Sequence, residues 1–213
     1  MKHSAFSLTE VIIVIFTIAV IAVVIIPMKI IDINQAERIA KWKDFYPELV
    51  YSFDVMKHNE KDIISEYKVD WSLNPYDFFN IYKKYLNVDV EQNILSNYTN
   101  YHHIFLNGKI IKSVSKYRAD EFLYLKNGMI IGFTAMDRDS NNIESAPLGI
   151  LLVDVNGKTK RNFIGKDVFA VLLFADKIEP MGYDASRQEM KEDCSPVGSG
   201  VKCAAYYLVG GAF

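Results

Sequence analysis

Cysteine is almost missing from this chain, with two in 213 residues, and neither sign of charge prevails: 24 Lys and Arg stand against 26 Asp and Glu, a formal net charge of -2. Two cysteines with no histidine nearby do not make a zinc module. The balanced charge lacks the clustered excess of Lys and Arg that marks a phosphate-tracking protein, so no nucleic-acid partner is indicated. Catalytic signatures are lacking too: there is no GxSxG, P-loop, HExxH or GxGxxG, and no Ser-His-Asp order, so nothing in the chain supports an enzyme. What is present excludes disorder, since half of the residues are apolar and 13% are aromatic. The length suits one globular domain with an appendage.

The apolar residues are unevenly spread. From Val11 to Ile31, only Thr17, Pro27 and Lys29 interrupt the run VIIVIFTIAVIAVVIIPMKII. As a helix, residues 6–26 would reach roughly 30 Å, the thickness of a bilayer's hydrocarbon core. The stretch exceeds the apolar core of a secretory signal, and no small-x-small cleavage site follows it. Lys2 in the short flank places residues 1–5 in the cytoplasm and the remainder outside. An uncleaved signal anchor accounts for all of this except Glu10, an acid near the start of a membrane segment whose nearest following cation is Lys29.

The segment KHSAFSLTEVIIVIFTIAVIAVVIIP resembles the N-terminus of bacterial type IV pilins and of type II secretion pseudopilins. The resemblance implies a leader of residues 1–5 cut after Ala5 by a prepilin peptidase, although Gly is usual at that place. It implies N-methylation of Phe6 and a long helix over 6–57, transmembrane over 6–30, with kinks at Pro27 and Pro47. Glu10 becomes an assembly latch that pairs with the Phe6 amine of a neighbouring subunit, because unpaired charge in low dielectric is costly. The alternative is an acid that merely snorkels to the interface. The implied partners are other pilin subunits, the membrane, and an assembly machinery driven by a cytoplasmic ATPase. The implied location is the bacterial inner membrane, with a periplasmic or extracellular head that enters a pilus or pseudopilus.

Beyond Ile31, Ile39, Trp42, Tyr46, Leu49, Phe53 and Met56 recur at spacings of three and four, which predicts an amphipathic continuation of the helix with one packing face. Asn74-Pro75 is a helix start, followed by a stripe of Phe78, Phe79, Tyr82 and Leu86. Within the head, 58–213, that helix is the one further signal in a connecting region of about 58–100, and the second half of the chain reads as β meander. Asn107-Gly108, Asn127-Gly128 and Asn156-Gly157 each lie between extended apolar segments and predict three hairpins, with VFAVLLF at 168–174 as a further strand. The fold class is therefore α+β: a long N-terminal helix packed on a C-terminal antiparallel sheet of four to six strands.

Four sets of side chains remain. Cys194 and Cys203 lie on the oxidising side of the membrane and form a disulfide on the economical reading, worth about 2.7 kcal/mol in the chain-entropy model. Pilins often carry such a loop near the C-terminus. Asp154, Asn156 and Asp167 offer oxygen ligands that suit Ca²⁺, which several pseudopilins hold in this part of the fold; equally, they shape the turns at Gly157 and Gly165. Asp137, Asp139, Asn141 and Glu144 begin like an EF-hand loop, yet Asn142 and Leu148 stand where Gly and Glu belong. His102 and His103 are adjacent and, in a strand, point to opposite faces. The leading expectation is a structural prepilin, a minor pilin or pseudopilin. The rival is an uncleaved signal-anchored protein whose outer domain binds or senses a ligand.

Overall fold

The computed structural model describes residues 7–90, 103–111, 115–138, 146–157 and 162–212. Ala5 and Phe6, and also His102, Asp139, Asn141 and Glu144, lie outside the described residues. The chain divides into two compact units, 1–37 and 38–213, with the boundary inside a helix.

In the first unit, helix α1 spans Leu8–Val20 and a π-helical turn spans Ile21–Ile25. Helix α2, Ile26–Asn59, follows directly. Pro27 is the second residue of α2. With no N–H to donate to the carbonyl of Val23, it leaves the ladder incomplete just where the widened turn sits. The expected span over 6–30 is thus not one uninterrupted α-helix. Taken singly, no helix among the described residues is long and apolar enough to cross a membrane. Every residue from Ser7 to Val24 is exposed.

The second unit begins at Arg38 on α2, with Pro47 inside that helix. Trp42, Phe45, Leu49, Phe53 and Met56 form its buried stripe. Phe45 takes a place in it, while Ile39 and Tyr46, expected on that face, are only partly buried flanks. After Glu60 comes α3, Lys61–Val69, a helix inside the stretch expected to be connecting chain. Helix α4, Pro75–Tyr82, begins as expected, with Asn74 Oδ1 accepting the Tyr76 N–H at 3.1 Å. Phe79 stacks on Phe133 of the sheet at 4.5 Å.

The main sheet has five strands, β2 (Glu121–Tyr124), β3 (Ile130–Ala135), β4 (Gly149–Asp154), β6 (Val168–Leu173) and β7 (Ile178–Pro180), in the order β2-β3-β4-β6-β7 and antiparallel throughout. Two of the three Asn-Gly reversals are as expected: Asn127-Gly128 joins β2 to β3, and at Asn107-Gly108 Ile104 bridges Ile110. The third is corrected. β4 pairs with β6, whereas β5 (Asn162–Phe163) leaves the sheet and pairs in parallel with β1 (His103–Ile104). The reason is burial. All six residues of β4 are buried, so its neighbour must be buried as well, which VFAVLL tolerates and KTKRNF does not.

Side-chain alternation divides the sheet between two clusters. Ile131, Phe133, Leu151, Val153, Phe169 and Val171 face the helices, with Trp42 stacked on Phe169 at 4.9 Å. Ile150, Leu152, Val168 and Ala170 face the other way, under Ala119, Ile164 and Val201. The protein is therefore mixed α and β, built on an antiparallel sheet covered on both faces. Two short helices, α5 (Arg187–Asp193) and α6 (Cys203–Leu208), close the chain.

Candidate functional site

At the head of α1, Ser7 and Glu10 satisfy each other. Glu10 N–H donates to Ser7 Oγ at 3.3 Å, while Glu10 Oε2 accepts the Ser7 N–H at 2.8 Å and the Ser7 hydroxyl at 3.1 Å. This is a reciprocal capping box, and S-x-x-E in the sequence was the signal for it. The carboxylate that looked unpartnered is thus held within its own chain, beside twelve large apolar residues between Leu8 and Val24 that are all exposed.

In the head, Asp154 and Asp167 meet beneath Arg38. Asp154 Oδ1 accepts the N–H groups of Asn156 at 2.9 Å and Gly157 at 3.1 Å, a side-chain-capped turn. Gly157 is required there: its φ is 67°, and a Cβ would fall on the carbonyl oxygen of Gly128. Asp167 Oδ2 accepts the Phe163 N–H at 3.1 Å, and its Oδ1 lies 2.5 Å from the Arg38 guanidinium. Burial pushes the Asp154 carboxyl up to about 8, against the pull of the Asn156 N–H; the charge of Asp167 adds to the rise. Asp167 is raised too, again by burial first, with the Phe163 N–H and Arg38 opposing.

The structure therefore brings Asp154, Asn156 and Asp167 together, and both readings of them survive in part. They shape the two turns. Their oxygen-only chemistry also suits a hard cation, but the positive charge at Asp167 comes from Arg38. Among the described residues, no group of three or more His, Cys, Asp or Glu could hold a metal ion. Of the EF-hand-like residues only Asp137 is described, in a surface hollow with Lys116, Arg118 and Asp120. Arg38 was missed by sequence reasoning, although its place four residues before Trp42 on the packing stripe was a signal.

Cys194 and Cys203 are disulfide-bonded, tying the end of α5 to the start of α6. The loop between them is organised by a residue with no sequence signature, Asp193. Its Oδ1 accepts the N–H and hydroxyl of Ser199 at 2.9 and 2.6 Å, its Oδ2 the Lys202 N–H at 2.8 Å, and its carbonyl the Gly200 N–H at 3.0 Å. Both sulfurs belong to buried residues, and only the Pro196-Val197 tip is exposed. Trp42 Nε1–H reaches the Ala204 carbonyl at 3.0 Å, so the stapled segment also anchors α2. No protein-family model, curated protein or solved structure matches this chain.

Proposed function

We propose that this chain is a structural subunit of a type IV pilus or type II secretion pseudopilus, most akin to a minor pilin or pseudopilin. A prepilin peptidase cuts after Ala5 and Phe6 is methylated. The apolar residues around α1 hold the subunit in the bacterial inner membrane, N-terminus inside, until a machinery powered by a cytoplasmic ATPase packs these segments into a filament core with the head outside. One observation carries the reading: helix follows helix from Leu8 to Asn59 without a non-helical residue, and behind a single acid the side chains exposed from Val11 to Val24 are all apolar except Thr17. Such a surface marks a membrane or a protein partner. Glu10, held by Ser7 before assembly, exchanges that bond for the Phe6 amine of the next subunit.

The reading needs no resident cofactor. With Arg38 as counter-ion to Asp167, adding calcium or a chelator leaves the melting temperature unchanged. The decisive test is intact-mass and N-terminal peptide analysis of protein from cells with a prepilin peptidase. A chain that begins at N-methyl-Phe6 supports the proposal; one that keeps Met1 to Ala5 overturns it in favour of an uncleaved signal anchor. Sheared filaments should exclude Glu10→Leu, and equal incorporation of that variant would sink the latch.

A further inference from the structure

The near-neutral net charge conceals an asymmetry. Residues 103–118 and 155–166 contain eight of the chain's 24 Lys and Arg and none of its 26 Asp and Glu; four of the eight, Lys109, Lys116, Arg118 and Lys166, are among the described residues. The described parts of these stretches are far apart in sequence but adjacent in space. Parallel pairing sets His103 beside Asn162 and Ile104 beside Phe163, and the Ile164 N–H donates to the Ile104 carbonyl at 2.8 Å. The first stretch turns back at Asn107-Gly108, and Tyr117 returns to meet Phe105 edge-on at 5.6 Å. Phe105 and Tyr117 rest on the small cluster that covers the sheet face opposite the helices. One side of the head thus gathers Lys109, Lys116 and Arg118 from the first segment and Lys166 from the second.

Lys109, Lys116 and Arg118 are exposed. The Lys116 ammonium lies 5.4 Å from the Tyr117 ring centroid and that of Lys166 5.8 Å from the Phe163 ring, so both are presented over aromatic faces. Several nearby acids are already engaged. Asp193 is taken up by its loop and Asp167 by Arg38, and Asp120 Oδ2 accepts the hydroxyls of Tyr76 and Thr134. Lys116 and Arg118 share a shallow hollow with Asp120 and Asp137, while Lys109 and Lys166 lie outside it, and cations so spread suit a repeating row of phosphates better than one headgroup.

We infer that this face of the head, formed by the β1–β5 pair and the turns at 107–109 and 115–118, binds the phosphodiester backbone of double-stranded DNA without sequence preference. The inference does not depend on the filament reading.

The test uses the full chain in a non-ionic detergent with a fluorescein-labelled 20-base-pair duplex, followed by anisotropy. With about four phosphates neutralised, affinity should fall about 100-fold between 50 and 200 mM salt. The triple variant Lys109→Glu/Lys116→Glu/Lys166→Glu should bind at least about 30-fold more weakly at 50 mM, and Lys61→Glu/Lys84→Glu, on the helical side, within about 3-fold of the parent. The corresponding Gln variants, with melting curves, separate loss of charge from loss of fold: a folded Gln triple that still weakens binding supports the site. Binding that ignores salt, equal loss in both charge-reversal variants, or no binding to the duplex at 50 mM salt overturns the inference. Capture by anionic phosphatidylglycerol vesicles with none by the duplex overturns it as well and identifies a lipid surface instead.

Discussion

Residues 8–24 and strand β4 are chemically alike and meet opposite fates. Leu8, Ile12, Ile15 and Phe16 are among the most exposed side chains of the first unit, whereas Ile150, Leu151, Leu152 and Val153 are sealed between two layers. The head covers its apolar surface with its own α2, α3, α4 and loops. Among the described residues, the first unit has nothing of its own to do this with. At roughly 25 cal/mol per Å² of apolar surface removed from water, a stretch so fully uncovered is a strong drive toward lipid or other subunits. Apolar composition alone says nothing about which fate applies; that depends on whether the rest of the chain provides a cover.

Cutting into the head's cover should have the largest effect. Trp42 is fully buried, stacks on Phe169 and bonds the Ala204 carbonyl, so Trp42→Ala leaves both a cavity and an orphaned acceptor. The cost should be about 3–5 kcal/mol in denaturant unfolding of the head. Ile15→Ala, made among the uncovered residues, should leave the same unfolding curve unmoved. A head transition equally sensitive to both would break the distinction between the units.

The buried acids sharpen the contrast, since only a covered region can hold a carboxyl away from water. Asp154 titrates near 8 in the folded head and in the ordinary carboxylate range once unfolded. Below that range both states are protonated. Between the two values the folded state keeps a proton that the unfolded chain releases, so stability falls as pH rises, by about 3 kcal/mol between pH 5 and 8 for this group. Asp154→Asn keeps an oxygen for the Asn156 and Gly157 N–H groups and should flatten that slope. A parent head equally stable at pH 5 and 8 would contradict the proton held at Asp154.

Somewhat smaller is the staple. Cys194→Ala/Cys203→Ala should lose about 2.7 kcal/mol by the loop-entropy estimate, read from the shift in the denaturant midpoint. Because both cysteines are buried, a reductant should act on the native head only at the rate at which it opens.

Much of this was legible from local pattern. The Asn74-Pro75 start, the turn at Asn127-Gly128, the strand at 168–173 and the cysteine pair are each specified by residues close in sequence. What escaped depends on partners distant in the chain. Nothing in NFIG says that it will pair with His103-Ile104 rather than fold back on β4; that choice is made by the burial of β4 on both faces. Asp193 reads as a surface acid until Ser199, Gly200 and Lys202 surround it. The basic face escaped for a related reason, since net charge sums over residues that the fold keeps apart. Arg38 and Phe45 were within reach, because both lie on the helical stripe the sequence displays.

The smallest expected effect gives the finest comparison, because the two units contain the same local device. Ser186 and Glu189 at the head of α5 repeat Ser7 and Glu10 nearly atom for atom: Glu189 Oε2 accepts the Ser186 N–H and hydroxyl at 2.8 Å each, and the Glu189 N–H donates to Ser186 Oγ at 3.3 Å. The Ser186 contacts hold the Glu189 carboxyl below its usual range, so this cap contributes stability above the ordinary carboxylate range that is lost as pH falls through the folded value. Ser186→Ala should cost about 1 kcal/mol of head stability, the ordinary worth of such a cap. Ser7→Ala removes the same hydroxyl from a helix to which the head owes nothing, and should leave the head's melting temperature unchanged. If Glu10 exchanges Ser7 for a neighbour's amine on assembly, Ser7→Ala also weakens the competitor and should raise incorporation into sheared filaments relative to the parent. Incorporation that instead falls as far as it does for Glu10→Leu would mean that the Ser7 bond belongs to the assembled state rather than to the subunit waiting to enter it.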